Sequence, residues 1–315
     1  MKNILTLLIF TLITTLFFFT QCDKVEDPYA HIDEEVTIDE DSLTATFNDT
    51  FNSDDSRELT RRIMLEDFTG MKCNNCPRAT DVGKDLMNQY GDKIVFVALH
   101  NSGAFSKPDN DFPLDLETET GENLRVRYQI ASFPMGMINR TDYENSGTAR
   151  IGDQNWDNTA NQMLNDADYI KARFDVSWSV IYNSESRTLR VLPEVECLSS
   201  STADITMHAY ILEDGIIGPQ IDSRASTAEY GPKRIIPDYE FKDVVRAGFP
   251  NLETGRLLFS APSQGDIFEI QNPDQDELRF TISEEWNDEK LSVVLYFTNA
   301  ESGEVVFSDK LQLFE

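Results

Sequence analysis

The sequence predicts an α/β domain followed by an all-β antiparallel sandwich of the immunoglobulin-like kind. Up to about residue 168, apolar strand-like runs such as Lys93–Leu99 alternate with stretches of helical periodicity such as Arg78–Tyr90. From Tyr169 onward, short segments such as Phe174–Ile181 alternate apolar and polar residues, and Asn, Gly, Pro and Asp turns separate them. With 315 residues, the chain is long enough for two ordinary domains, each with a sizeable core.

The first domain is organised around Arg61–Pro77, which reads RRIMLEDFTGMKCNNCP. Its first half is apolar and strand-like, Gly70 ends that run, and Cys73 and Cys76 follow before a helix-compatible stretch. A cysteine at a helix N-terminus lies at the positive end of the helix dipole, beside free N–H groups, so its thiolate is stabilised. Pro77 fits the first helical turn, where a missing N–H costs no hydrogen bond. A strand, a turn, a Cys-x-x-Cys pair and a helix indicate a redox site.

This arrangement resembles the redox site of thioredoxins, which predicts a thioredoxin-like domain. Asp67-Phe68 precedes Cys73 with four residues between, the spacing at which thioredoxins carry a buried Asp that handles the proton of the second thiol. Phe133-Pro134 stands where thioredoxins place a cis-proline facing the cysteines, and Ile94–Leu99 supplies the intervening strand. The chain lacks the thioredoxin Trp before the first cysteine, and Asn74-Asn75 replaces their Gly-Pro. The redox potential of thioredoxins therefore does not carry over.

Two polar features of the first domain allow more than one interpretation. His100 follows Lys93–Leu99 at the strand's carboxyl end, where open α/β sheets bind ligands. It is either a proton donor or acceptor facing the cysteines or a loop histidine with satisfied hydrogen bonds. A zinc site needs two ligands besides the cysteines, and His100 is the one candidate, so we expect no metal. Ala104–Glu122 carries several carboxylates but no spaced calcium loop, so we interpret it as a solvated loop.

The first 22 residues predict a targeting segment. Lys2 supplies a positive start, and Ile4–Thr20 is an apolar run that suits a signal peptide better than a membrane span. Cys22 stands where a lipoprotein precursor is cleaved and lipidated, although Phe19-Thr20-Gln21 departs from the usual lipobox. A plain cleaved signal peptide and a retained anchor are the alternatives. Residues 23–58 are acidic and predict a flexible tether, to which Ser42–Phe47 adds one edge strand. An exported protein retains its disulfides.

The charge balance excludes some classes of partner. The sequence contains 27 Lys and Arg against 56 Asp and Glu, a net charge of −29. Nucleic acids and anionic membrane surfaces would repel such a chain, so we expect neither as a partner. We interpret the acidic surface as a solvated envelope, with specific cation binding as the alternative, and we predict no cofactor.

The second domain is predicted from its strands. They are Phe174–Ile181, Thr188–Val195, Ile205–Leu212, Arg256–Phe259, Glu277–Ile282, Leu291–Phe297 and Val305–Leu313. Gly215–Phe249 interrupts them as a long irregular section, of a kind that often forms binding surfaces. Trp178 and Trp286 are interpreted as core residues rather than as platforms for ligands. Cys197 is interpreted as a buried, inert thiol, with a resolving role in disulfide exchange as the alternative.

The whole pattern resembles the twenty-eight-kilodalton outer-membrane lipoprotein family, whose members join a thioredoxin-like domain to a β-sandwich. The resemblance rests on the export signal, on LEDFTGMKCNNCP, on SFP followed by a strand ending in Asn-Arg, and on HAYILEDGIIGPQ. It covers roughly Arg61 to the C-terminus. It implies attachment to the outer membrane through an N-terminal lipid and a surface binding or adhesive role. Redox activity is an inference from the Cys-x-x-Cys pair.

Two functions from different classes follow. In the enzymatic one, Cys73 attacks as the thiolate, Cys76 resolves the mixed disulfide, Asp67 takes the proton of Cys76, and Pro134 shapes the docking edge for a protein or extended peptide substrate. In the other, the pair is a structural disulfide in a surface binding protein or adhesin. The enzymatic interpretation predicts that Cys73 occupies the helix cap or first position and is the more exposed and more acidic thiol. It also predicts a raised pKa for Asp67, because burial disfavours the charged form.

The predicted organisation has four parts. Residues 1–22 form a lipoprotein signal peptide with its lipidation cysteine, residues 23–58 a flexible acidic tether, residues 59–168 the thioredoxin-like domain and residues 169–315 the β-sandwich domain. The boundary near Asp168–Arg173 marks the switch from helix-and-strand alternation to period-two patterning. We expect the two domains to fold independently.

Overall fold

The structure is a computed structural model that describes residues 43–47, 59–250, 255–270 and 278–314. The predicted signal peptide, Cys22 and most of the predicted tether lie outside the described residues. Of residues 43–47 only the backbone is described, as a strand, which confirms the strand predicted there. Among the described residues, no helix combines the length and the apolar character needed to cross a membrane.

The described chain consists mainly of strands, with few helices. The strands are β1 Leu43–Phe47, β2 Ile63–Phe68, β3 Ile94–Leu99, β4 Met135–Ile138, β5 Arg150–Ile151, β6 Phe174–Asn183, β7 Thr188–Cys197, β8 Ile205–Glu213, β9 Ile216–Ile221, β10 Ile235–Phe241, β11 Val244–Phe249, β12 Arg256–Phe259, β13 Ile267–Phe268, β14 Leu278–Thr281, β15 Leu291–Asn299 and β16 Val305–Gln312. The α-helices are α1 Cys76–Tyr90, α2 Glu119–Arg127, α3 Trp156–Asn165 and the single turn α4 Thr227–Tyr230.

The first half of the chain builds a small mixed sheet in the order β3-β2-β4-β5. β2 and β3 are parallel, whereas β4 runs antiparallel to β2 and β5 antiparallel to β4. Every residue of β2 and β3 is buried, as expected for strands covered on both faces. Alternate residues of β2 point to opposite faces: Ile63 and Leu65 pack under α1 and α3, while Met64 and Phe68 pack on the other side. This order of elements is consistent with the predicted thioredoxin-like unit.

This sheet continues into the second half of the chain. β11 lies beside β3, with Val244 paired to Ala98 in parallel register, and the order then runs β8, β15 and β16. β12 also pairs with β8, which gives nine strands in one sheet. One buried apolar cluster contains Met64 and Val95 together with Tyr210 and Val294. Residues from both sides of position 168 therefore share one sheet and one core, and the predicted division into independently folding domains stays a prediction.

A second sheet packs against the C-terminal half of the first. It contains β1, β6 and β7 in that order, with β13 and β14 both paired to β7. β6 alternates buried and partly exposed residues along its whole length, the pattern of a sheet with one face on a core. Trp178 of β6 and Phe297 of β15 belong to the same cluster, so the largest core lies between the two sheets. Two facing antiparallel layers fit a sandwich, whereas the immunoglobulin-like topology remains a prediction.

The interpretation of Gly215–Phe249 as irregular is wrong. It contains β9 and β10, which pair antiparallel as a separate hairpin, and β11, which enters the large sheet. The hairpin carries Pro219 and Pro237, which interrupt the alternating pattern. Prolines are tolerated here because both strands of a two-stranded sheet are edges.

The interpretation of Ala104–Glu122 as a solvated loop is wrong in part. Phe112 and Leu116 are buried and pack with Met71, Phe241 and Val244 in a cluster that the insertion shares with β10 and β11. Two apolar side chains spaced four apart in an otherwise polar loop carried too little periodicity to predict this. The insertion is thereby fixed beside the loop that precedes Cys73.

Candidate redox site

The two cysteines predicted to pair form a disulfide. Cys73 and Cys76 are bonded, with their Cα atoms 5.4 Å apart. α1 begins at Cys76, with Pro77 directly after it and Asn75 as the N-cap. The prediction that Cys73 occupies the cap or first helical position is therefore wrong. The Cys76 N–H donates to the Cys73 carbonyl at 3.3 Å, so Cys73 lies in the turn before the helix rather than in it.

Both cysteines are buried, with relative exposures of 4% for Cys73 and 1% for Cys76. Cys73 is the more exposed of the two, as predicted, but the openly accessible sulfur that the enzymatic interpretation assumes is absent from the described site. The ammonium group of Lys72, the neighbour of Cys73, pairs with Asp109 at 2.5 Å. Whether Cys73 is the more acidic thiol stays a prediction.

Residues 220–224, which we call the strap, lie along the loop that carries the cysteines. It comprises the last two residues of β9 and the three that follow. The Ile221 N–H donates to the Met71 carbonyl at 2.9 Å, and the Ser223 N–H donates to the Asn74 carbonyl at 2.8 Å. The strap lies more than 140 residues along the chain from the cysteines, so no local sequence signal predicted its position.

Asp67 lies beneath the helix that carries Cys76. It is fully buried, and its Oδ2 accepts a hydrogen bond from the Thr80 hydroxyl at 3.4 Å, while Oδ1 has no partner among the described residues. Thr80 is one helical turn after Cys76, so the carboxyl faces the side of α1 on which Cys76 lies. Burial raises the pKa of Asp67 to about 8, Thr80 opposes this weakly, and the charge of Asp153 adds to it. The predicted upward shift is confirmed.

His100 lies close to the same helix, in a closed environment. It follows β3, is 2% exposed, and packs edge-on against Phe241 with ring centroids 5.2 Å apart. With Pro77, Thr80 and Gln220 it lines a cavity of about 10 Å³, enough for about one water molecule. Burial and the nearby Arg246 lower the pKa of His100 to about 3, so the ring is neutral at physiological pH. Its Nδ1 has no partner among the described residues, and both interpretations of His100 stay predictions.

Pro134 stands at the start of β4. The Phe133–Pro134 peptide bond is cis, as the resemblance to thioredoxins predicts. β4 pairs with β2 so that Met135 lies opposite Phe68, and continuing that register places Pro134 opposite Thr69, in the loop that leads to Cys73. Phe133 packs edge-on against Phe105 with centroids 6.2 Å apart.

Sequence reasoning missed a buried ionic network on the opposite face of β2. Glu66, the neighbour of Asp67, accepts hydrogen bonds from Arg140 Nε at 2.9 Å and Arg140 Nη2 at 2.7 Å. The hydroxyl of Tyr210 donates to Glu66 Oε1 at 2.7 Å, and the guanidinium lies 5.1 Å from the ring centroid of Tyr296. A carboxylate inside an apolar strand was the one available signal, since a buried charge needs a partner. The network joins β2 to β8 and β15.

The remaining residues with reactive or metal-binding side chains add nothing to this site. Cys197 is fully buried, its Sγ lies 3.0 Å from the Ser199 carbonyl, and burial raises the pKa of its thiol. This confirms the interpretation of a buried thiol. Trp178 is also buried in the core, as predicted. Within the described ranges, no three His, Cys, Asp or Glu residues are grouped so that they could hold a metal ion.

Comparison with solved structures finds similar folds at low sequence identity. HBP35 of Porphyromonas gingivalis has a TM-score of 0.56 and 13% identity, covering 81% of this chain and 76% of that one. Protein AGR_C_4864 from Agrobacterium tumefaciens has a TM-score of 0.48 and 12% identity, covering 83% and 97%. A domain of the outer membrane lipoprotein Omp28 from Porphyromonas gingivalis has a TM-score of 0.28 and 11% identity, covering 45% and 89%. No protein-family model and no curated protein matches the sequence. The similarity to HBP35 therefore concerns the fold alone.

Proposed function

We propose that this chain is a cell-envelope lipoprotein whose Cys73–Cys76 pair exchanges disulfides with proteins or extended peptides. The observation that carries this proposal is the fully buried carboxyl of Asp67, whose Oδ1 has no partner among the described residues. A buried carboxyl with one oxygen unpartnered costs stability, and a purely structural disulfide has no use for it. With a pKa of about 8, it can both take up and release a proton near neutral pH, as a general acid and base must.

The exchange is a pair of thiol–disulfide substitutions. In the reduced chain, the Cys73 thiolate attacks one sulfur of a substrate disulfide, and the other substrate sulfur leaves as a thiolate that takes a proton from water. Asp67 then accepts the proton of Cys76, and the Cys76 sulfur attacks Cys73 in the mixed disulfide. The Cys73–Cys76 bond forms, the substrate's second sulfur leaves as a thiolate that takes a proton from water, and Asp67 releases its proton to solvent. Two electrons pass from the cysteine pair to the substrate, and the reverse sequence oxidises a dithiol.

The proposed location rests on the sequence. Lys2, the apolar run after it and Cys22 favour export and lipidation, which would tether the folded chain to the outer membrane through residues 23–58. The motif resemblance to the twenty-eight-kilodalton outer-membrane lipoprotein family supports the same location. Exchange of disulfides suits the envelope, because disulfides persist there and are rare in the cytosol.

A second candidate is a surface binding protein in which the disulfide is structural. The observation that favours it is that both cysteines are buried and that the strap bonds to the loop that carries them. A disulfide that only holds the Cys-x-x-Cys loop in the shape to which the strap bonds would need neither access to solvent nor a proton carrier. This candidate leaves the properties of Asp67 unexplained, so we rank it second.

The reduction potential of Cys73–Cys76 separates the two candidates. The full chain is equilibrated in glutathione buffers of stepped potential, free thiols are blocked with an alkylating agent, and mass spectrometry gives the reduced fraction. We expect a potential above about −300 mV, since structural bridges in exported proteins lie below about −300 mV. A variant with Cys197→Ser serves as the control that the measured thiols belong to the pair. A lower potential, with no exchange with a disulfide peptide, would favour the structural bridge.

A further inference from the structure

The strap lies along the Cys-x-x-Cys loop and is held there by main-chain hydrogen bonds. Its two N–H groups at Ile221 and Ser223 bond to carbonyl oxygens of Met71 and Asn74, on either side of Cys73. These are main-chain contacts, which any extended peptide could make in the same place. The strap therefore occupies the position in which a peptide lying along the loop would pair with it.

Side chains secure the strap at both ends. Gln220, which is 2% exposed, donates from Nε2 to the Cys73 carbonyl at 3.2 Å. At the other end, Arg224 Nη1 bonds to Asp81 Oδ2 of α1 at 2.8 Å, and the Ser223 hydroxyl donates to Asn75 Oδ1 at 3.2 Å. The Gln220 contact is buried, whereas the two contacts at the Arg224 end are exposed to solvent. The strap is thus firmly anchored at one end and weakly at the other.

We propose that the strap is a gate that opens at its Arg224 end to expose Cys73. Opening breaks the Arg224–Asp81 ion pair and the bonds from Ser223, and leaves Ile221 in its apolar cluster with Met71 and Phe241. The occupant that replaces the strap is an extended peptide segment, which pairs with the Asn74 carbonyl that Ser223 releases. The inference rests on the proposed function, because an exchange site needs access that the closed strap denies. Burial of Cys73 in the oxidised chain is then the closed state of a working site.

The gate differs from an alternative in which the strap leaves only when the whole protein unfolds. β9 and β10 form a hairpin of their own, so the Arg224 end of the strap can leave the loop without breaking a strand pair of the large sheet. Local openings of this kind cost less than global unfolding and occur faster. The rate at which a small reductant reduces the Cys73–Cys76 disulfide therefore reports how readily the gate opens.

The test measures the rate of reduction of Cys73–Cys76 in the full chain as the concentration of a water-soluble phosphine is raised. Samples are quenched with an alkylating agent and quantified by mass spectrometry, and the global unfolding rate is measured separately by denaturant jump. The variants are Arg224→Ala, which removes the ion pair with Asp81 and the pair with Asp222 inside the strap, and Arg224→Ala with Ser223→Pro, which also removes the N–H that bonds Asn74. The matched control is Lys233→Ala, which removes an exposed ion pair between the same hairpin and Asp111.

We expect the unmodified chain to be reduced at least about tenfold faster than it unfolds, since a local opening precedes global unfolding. Arg224→Ala should raise the reduction rate up to about fivefold, the range of an exposed ion pair. The double variant should add up to about another tenfold through the lost hydrogen bond, and Lys233→Ala should stay within about twofold, since its ion pair does not touch the loop.

Two outcomes would overturn the gate. One is reduction of the unmodified chain at the global unfolding rate, which is measurable even where the double variant does not fold. The other is a rate that Arg224→Ala changes no more than Lys233→Ala does. Neither outcome depends on the reduction potential, so the gate and the proposed exchange function fail or succeed separately.

Discussion

Asp67→Asn should stabilise the protein relative to the unmodified chain, and this stabilisation should grow as the pH rises. The carboxyl is fully buried, its Oδ1 has no partner among the described residues, and burial raises its pKa to about 8. In the unfolded chain the same group has its ordinary pKa of 3.8. Between these two values the folded protein retains a proton that the unfolded chain releases. The stability contributed by protonated Asp67 is complete below pH 3.8 and is lost as the pH rises through 8.

The magnitude follows from the two pKa values. Each pH unit between them changes the free energy of unfolding by about 1.36 kcal/mol. From pH 3.8 to pH 7 the loss is about 4 kcal/mol, and it levels off above pH 8. Asn is isosteric, does not ionise, and can keep the hydrogen bond from Thr80. The variant should therefore lack this loss and gain about 4 kcal/mol relative to the unmodified chain over that range.

The assay is denaturant unfolding at closely spaced pH values from 4 to 9, with the disulfide intact. The quantity of interest is the difference in free energy of unfolding between variant and parent, in which the titration of all other groups cancels. Asp85→Asn is the matched control, because Asp85 is an exposed carboxyl on the same helix. It should give a difference of at most about 0.5 kcal/mol at every pH, as surface substitutions usually do.

A stability difference between Asp67→Asn and the parent that does not change with pH would refute the raised pKa of Asp67. A difference that runs the other way, with Asn destabilising as the pH rises, would refute it too. That result would mean that the carboxylate is stabilised in the folded chain. Asp67 would then have a normal or lowered pKa and would be a poor proton carrier for Cys76.

Four further predictions concern the rest of the chain. Arg140→Met should lower the free energy of unfolding by about 3–5 kcal/mol, because it leaves the buried Glu66 charge without its partner. Adding Glu66→Gln should recover part of that loss, and equal stability of parent and single variant would contradict the pairing. Gly70→Ala should destabilise by about 1–3 kcal/mol in denaturant unfolding, because its Cβ would lie 2.0 Å from a neighbouring hydroxyl oxygen. Mass spectrometry of the native N-terminus should find a lipidated Cys22, and an unmodified start further along would refute this. Limited proteolysis near residue 168 should leave the two fragments associated in gel filtration, because they share one sheet and one core; a free, folded C-terminal fragment would support the predicted division.

Much of the fold was accessible from the sequence because its signals are local. Ile94–Leu99 is a continuous apolar run, and such runs form strands that are covered on both faces. The hairpin of β9 and β10 was not accessible, since its partly exposed edge strands tolerate prolines that read as breaks. The parallel contact of β11 with β3 joins Val244 to Ala98 across more than a hundred residues. No periodicity in either segment records that contact.

The features of the candidate site likewise divide into those that the sequence predicted and those that it did not. Cys73, Cys76, Asp67 and the cis-proline at 134 were predicted from spacing and from resemblance, because they lie within or beside recognisable motifs. The burial of the cysteines was not predicted, nor was the strap that bonds to their loop, because it comes from a distant part of the chain. The sequence therefore predicted which candidate groups lie at the site but not how deeply the cysteines are buried.

Glu66 and Asp67 show how one dipeptide gains two roles. Adjacent strand residues face opposite sides of the sheet, so Glu66 meets Arg140 while Asp67 meets the underside of α1. The first carboxylate is neutralised by a guanidinium, and its network ties β2 to β8 and β15. The second has no cation beside it among the described residues and retains its proton up to a pH of about 8. Holding β2 fixed through Glu66 keeps the Asp67 carboxyl in place beneath α1, where a mobile strand would let it reach water and lose its raised pKa.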